Sequence, residues 1–165
     1  MPAAPESAAA ESAAALLRAQ GATIAVSESA AGGLISAALL AIPGASDYFL
    51  GGAVVYTLAA RALIETPEAP ATPGMRGASE EFALYEARSV RAKTGAAWGV
   101  GETGAAGPSG NRYGDPAGHA WVAVVGPDGA VHTRRVGTGS ADRAANMAAF
   151  AQAALELLVE ALGEG

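Results

Sequence analysis

At 165 residues the chain is of a size to bury one self-sufficient core, so a single domain is expected. Its net charge of -6 comes with no cluster of lysine or arginine, which excludes the electrostatic footprint of a nucleic-acid binder. The lack of cysteine removes disulfides, thiolate metal sites and thiol nucleophiles together, leaving oxygen or nitrogen for any nucleophile.

The apolar fraction is 51%, much of it alanine, with 5% aromatics and 22 glycines, a balance suited to closely packed helices and tight turns. Met1–Ala10 has no basic residue ahead of an apolar run, as a secretory signal requires, and no stretch approaches the roughly 20 apolar residues of a membrane span. A cytoplasmic protein with no membrane partner is the expectation. Residues 1–20 read as a short disordered start and a first helix, and residues 21–165 as the body of the same domain.

Taken in order, Ser7 to Ala19 predicts a helix with Ala10, Ala14 and Leu17 on one face, ending before Gly21. Ala22 to Val26 suits a short buried strand, and Gly33 to Ala41 an apolar helix stopped by Pro43 and Gly44. Ala53 to Tyr56, after Gly51-Gly52, reads as a second buried strand, and Leu58 to Ile64 as a short helix. Thr66 to Gly77, with Pro67, Pro70 and Pro73, is a long irregular connection of a kind that is often functional. Ser79 caps a helix to Lys93, with Glu80 and Glu81 placed where the helix dipole favours negative charge. Ala96 to Val100 and His119 to Val125 read as strands with a glycine-rich loop between them. Val131 to Val136 follows through the hairpin turn Pro127-Asp128-Gly129, and Ser140 to Leu162 closes the chain as a long helix. Helices interleaved with apolar strands imply a three-layer α/β/α fold with a mixed sheet.

Four segments can carry chemistry. In Ser27-Glu28-Ser29-Ala30-Ala31-Gly32-Gly33, between a strand and a helix, the first N–H groups of the helix favour an anion, so a nucleophilic Ser29 and an oxyanion hole could share one turn. A serine that merely caps the helix is the alternative. Tyr56, at the end of a strand, places its hydroxyl where open α/β sheets bind ligands, or is simply a boundary tyrosine; Arg61 alone reads as a surface charge. Thr103, set among Gly104, Gly107 and Gly110, offers a hydroxyl in a loop that a ligand can approach closely, unless the loop is only flexible. Ser140 or Asp142 caps the last helix, and Arg143 in its first turn hints at an anionic partner, since cations are disfavoured there. Glu28 reads as a buried carboxylate ordering its turn, with a part in the chemistry as the alternative. His119 and His132 lie on strands without a spaced carboxylate or second histidine, so both read as structural and no metal site is expected.

In this order, ESAAGG at Glu28–Gly33, IPGASDYFLGGAVVYT at Ile42–Thr57, GASEEFA at Gly77–Ala83, TGAAGPSG at Thr103–Gly110 and Asp142-Arg143 resemble the CinA C-terminal domain family of competence/damage-inducible proteins. Its stand-alone members include nicotinamide-nucleotide amidohydrolases. The resemblance implies hydrolysis of the carboxamide of nicotinamide mononucleotide to nicotinate mononucleotide and ammonia, with no metal or redox cofactor. It implies Ser29 as nucleophile, Tyr56 as its partner, Thr103 near the substrate and Arg143 at the site, with Ala31, Gly32, Gly33, Gly104 and Gly107 lining it.

The chain departs from that pattern at four positions. Ala30 and Ala31 stand where the family has cysteine and threonine, Arg61 where it has lysine, and Met147 where it has a further arginine. A guanidinium stays protonated, so Arg61 cannot act as a base, but it could stabilise a phenolate on Tyr56 and let Tyr56 take the proton of Ser29. The alternative function is a non-catalytic nucleotide-binding or partner-binding domain that has lost its base. The acidic surface and alanine-rich terminal helices suit a homo-oligomer.

Overall fold

The computed structural model describes residues 7–164, so the short disordered start expected before the first helix lies outside the described residues. Helix α1 (Ala8–Gln20) starts at Ser7, whose hydroxyl accepts from the Ala10 N–H, and ends at Gly21 in the left-handed region. Strand β1 (Ile24–Glu28) leads through the Ser29–Gly33 turn to α2 (Leu34–Leu40), and β2 (Phe49–Val54) follows. A 3-10 turn over Ala59–Leu63 and the proline-rich connection lead to α3 (Glu80–Thr94), capped by Ser79. Strands β3 (Trp98–Ala105), β4 (His119–Val125) and β5 (Val131–Gly137) precede α4 (Arg143–Gly163).

The five strands form one mixed sheet in the order β2-β1-β3-β4-β5, parallel across β2-β1-β3 and antiparallel across β3-β4-β5. Helices α1, α2 and α4 cover one face, packed on Val26, Val100, Val122 and Val124. Helix α3 covers the other, on Ala25, Ala123 and Val125. The α/β/α layering is therefore the expected one.

Three expectations need correction. Strand β3 does not stop at Val100, so Thr103 and Gly104 lie in a strand rather than a loop. The glycines that read as loop composition are a packing device. A Cβ on Gly99 would stand 2.1 Å from the Ala87 carbonyl oxygen, and one on Gly101 2.1 Å from that of Ala83, so α3 rests directly on the β3 backbone. Strand β2 starts at Phe49 and includes Gly51-Gly52, and it is not buried but an edge strand with alternate residues exposed. Finally, α4 is long and apolar enough to cross a bilayer by length and composition, contrary to expectation. Half of its apolar window is nonetheless buried against the sheet and α1, where Phe150, Leu155 and Leu158 join the core.

Because the α3–β3 contact is backbone against backbone, neither side can yield by a rotamer change. Gly101→Ala is expected to lower stability by about 2 kcal/mol or more, as overpacking in a rigid core does, and urea unfolding of the variant measures it.

Candidate active site

Strand β1 ends at Glu28, and its carboxylate turns back under the start of α2. Its Oε1 accepts from the N–H groups of Gly33 (2.9 Å) and Ile35 (3.0 Å), and its Oε2 from the N–H and hydroxyl of Ser36, both at 2.9 Å. The orphan donors of the helix start are thus satisfied by an anion that belongs to the chain and is fully buried. They are not free for a ligand, which corrects the sequence expectation and assigns Glu28 the ordering role.

A second carboxylate holds the same turn from β3. Glu102 Oε1 accepts from the Ser29 N–H at 2.9 Å and the Ala31 N–H at 2.8 Å, while its Oε2 is buried with no partner. Burial pushes the Glu102 carboxyl up to about 7, against the pull of the Ala31 and Ser29 N–H groups, and the nearby Glu28 adds to the rise. On the other side, Glu86 of α3 accepts from the Ser27 hydroxyl at 2.8 Å, and burial followed by the charge of Glu102 holds it well above the usual carboxylate range. Sequence reasoning missed Glu86 and Glu102. The signal was present as acids within apolar stretches, beside Ala83 and Ala87 on the helix and Val100 on the strand.

Above this clamp the half-buried Ser29 side chain borders a cleft of about 580 Å³, which Tyr56, Arg61, Thr103 and Gly104 also line. Arg112 and Arg76 of the connecting loops also line it, Arg76 with its guanidinium paired to Asp115 at 2.7 Å. A smaller pocket of about 210 Å³ adjoins it, sharing Tyr56, Gly104 and Asn111 and adding Ala30, Gly107 and Arg143. Arg143, presented by the Asp142 cap of α4, donates through Nη2 to the Tyr56 hydroxyl (3.0 Å) and through Nη1 to the Gly107 carbonyl (2.6 Å).

The structure thus brings together most of the residues singled out in the sequence, with changed roles. Arg61 does not reach Tyr56: its guanidinium lies 4.7 Å over the Phe82 ring and its nearest acceptor is the Met75 carbonyl at 3.5 Å. The cation on the phenol oxygen is Arg143. Ala31, Gly32 and Gly33 line neither pocket. Ala31 is buried, and the glycines supply positive φ values of 66° and 100° that bend the turn, with Gly32 against the Met147 methyl and Gly33 facing Val54. Thr103 is buried and its Oγ1 accepts from the Ala78 N–H at 2.9 Å, fixing the loop that forms the far wall. His119 supports the same loop through the Ala78 carbonyl at 2.8 Å, and contrary to expectation a carboxylate stands near it, Asp115 at 3.6 Å. Among the described residues no group of three His, Asp or Glu is placed to hold a metal.

The profile of the CinA C-terminal domain matches residues 6–162, nearly the whole chain. The chain belongs to the CinA C-terminal domain family. A CinA-like protein of Anaeromyxobacter sp. (strain K) is 40% identical over 146 residues, 88% of this chain and 35% of that protein. One from Desulfosudis oleivorans is 41% identical over 139 residues, 83% and 33%. The chain therefore spans about a third of the length of the curated CinA-like relatives it matches. Solved structures agree over their full length. The CinA superfamily protein of Klebsiella pneumoniae 700603 aligns with a TM-score of 0.85 at 26% identity, covering 95% of this chain and 97% of that one. The competence/damage inducible protein CihA of Agrobacterium tumefaciens aligns with a TM-score of 0.80 at 28% identity, covering 98% and 97%.

The raised Glu102 carboxyl of this CinA domain has a consequence for stability. Between the ordinary value of 4.5 and about 7 the folded chain keeps a proton that the unfolded chain has released, so stability falls as pH rises through that window and levels off above it. The loss is on the order of 3 kcal/mol. Glu102→Gln keeps a carbonyl acceptor for Ser29 and Ala31 and should flatten the slope, leaving the part due to Glu86, as urea midpoints at pH 5 and pH 8 would reveal.

Proposed function

We propose that this domain is an amidohydrolase acting on nicotinamide mononucleotide, releasing ammonia and nicotinate mononucleotide, with Ser29 as nucleophile. The reading is carried by one arrangement: a serine on a turn braced by two buried carboxylates borders the same cleft as a tyrosine held by an arginine. In the first step Tyr56, acting as a phenolate with the Arg143 guanidinium as its counter-ion, takes the Ser29 proton and becomes the phenol while Ser29 Oγ attacks the carboxamide carbon. The Ala30 N–H, which has no protein acceptor among the described residues, is the donor left at the turn for the oxyanion. Tyr56 then returns the proton to the departing ammonia. A water deprotonated by Tyr56 attacks the acyl carbon, and as the ester C–O bond breaks the proton passes from Tyr56 to Ser29 Oγ, releasing nicotinate mononucleotide. Arg112 suits the phosphate of a mononucleotide, and a cleft of about 580 Å³ is of ordinary size for a small-molecule ligand.

A second reading, a binding domain that has lost its base, is favoured by the position of Arg61. The side chain that stands where the family resemblance puts lysine is turned onto Phe82 and away from Tyr56.

Ammonia release from nicotinamide mononucleotide decides between them. Turnover should vanish in Ser29→Ala and fall about 100-fold or more in kcat in Tyr56→Phe, the usual scale for losing a general base. Calorimetric binding without turnover supports the second reading, and in that case Arg61→Lys is expected to restore ammonia release.

A further inference from the structure

The proline-rich connection from Thr66 to Gly77 serves the cleft only through its last residues, Gly74 to Gly77. It is tied to α3 at both ends. The Lys93 ammonium donates to the Glu65 carbonyl at 3.1 Å, and the Ser79 hydroxyl to the Arg76 carbonyl at 2.7 Å. The connection therefore runs back alongside the helix, from its last turn to its first. Between the two lies a second cavity of about 440 Å³, within the usual range for a small-molecule site. Among the described residues it shares Met75 alone with the cleft.

Met75, Ala92 and Val125 give this cavity an apolar side, and its donors come from successive turns of α3. Tyr85, Arg88 and Arg91 recur at the spacing that sets side chains one above another on a helix. Tyr85 is buried, yet among the described residues nothing accepts from its hydroxyl or from the Arg88 guanidinium. Arg91 is fixed through Nε, which donates to the Ala97 carbonyl at 2.8 Å, and its two Nη atoms are left over. The two carboxylates that border the cavity do not answer these cations. Glu68 accepts from the Thr66 hydroxyl, and Glu81 stands two turns before Arg88, about 10 Å along the helix. Like charges one turn apart repel, and an anion held between them removes that repulsion.

We propose that this cavity is an effector site for a small molecule that joins an oxyanion, carboxylate or phosphate, to an apolar body. The oxyanion accepts from Arg88, Arg91 and Tyr85, and the body lies on Met75 and Val125. Its influence on the cleft runs through the connection. Met75 borders both spaces, its carbonyl accepts from Arg61 at 3.5 Å, and the residues after it, Arg76 and Gly77, line the cleft. A ligand packed on Met75 therefore bears on that wall, and linkage makes the effect reciprocal. The site does not depend on which reaction the cleft carries out.

Amide NMR spectra of the full chain titrated with phenyl phosphate, benzoate and benzyl alcohol test this. Saturable shifts are expected at Thr72, Met75, Arg88 and Ala92 with at least one of the two anions, and the tighter of the two identifies the group the site takes. Gly74 and Gly77 should follow the same curve, while the neutral alcohol should not saturate. Arg88→Gln, at an exposed position of α3, should weaken the anion about tenfold or more with circular dichroism unchanged. Arg112→Gln, in the cleft, should leave its dissociation constant as it was. The proposal is overturned if neither anion saturates, or if the shifts are confined to Ser29, Tyr56 and Arg112 of the cleft. Benzyl alcohol binding as tightly as the anions, binding undiminished in Arg88→Gln or lost in Arg112→Gln, or Gly74 and Gly77 unmoved as the cavity fills, overturns it equally.

Discussion

The site hangs on a turn whose backbone donors are claimed from beneath. Glu28 takes the N–H groups at the start of α2, and Glu102 takes those of Ser29 and Ala31. A strand-to-helix turn with two glycines at positive φ has many accessible backbone states when unfolded. Two carboxylates closing on it from different strands leave one. The cost is burial of acids at close quarters, seen in the raised Glu86 and Glu102 carboxyls. In return the nucleophile candidate stands on a fixed base at the border of the cleft.

That base depends on how closely α3 approaches the sheet. Glycines at 99 and 101 let the helix lie on β3, which brings Glu86 beneath Ser27 and keeps Glu102 within reach of the turn. A side chain at either glycine would lift the helix and open the carboxylate cluster to water. Packing on one face of the sheet thus sets the electrostatics at its end.

Much of this was legible in the sequence, because apolar periodicity, Ser79 as a cap, the Asp128 hairpin and the order of the small-residue motifs are local signals. The errors share one physical cause. Glycine composition at 99–104 resembles a loop, and only the tertiary contact with α3 explains it as strand. Gly51-Gly52 likewise hid the start of an edge strand. An acid within an apolar strand, such as Glu102, gives no local hint of the N–H groups it will meet 71 and 73 residues away. The exchange of roles between Arg61 and Arg143 has the same origin, since the partner of Tyr56 is 87 residues distant in the chain.

Tyr56 stands just past an edge strand, most of its surface open to solvent. An aromatic side chain in that setting ordinarily wanders among rotamers, and a ligand would have to arrest it on arrival. Here the guanidinium from α4 grips the phenol at one end and the Gly107 carbonyl at the other, so that search is over before any ligand enters. The last helix therefore does more than close the core: it prepays the entropy of a residue 87 positions earlier in the sequence.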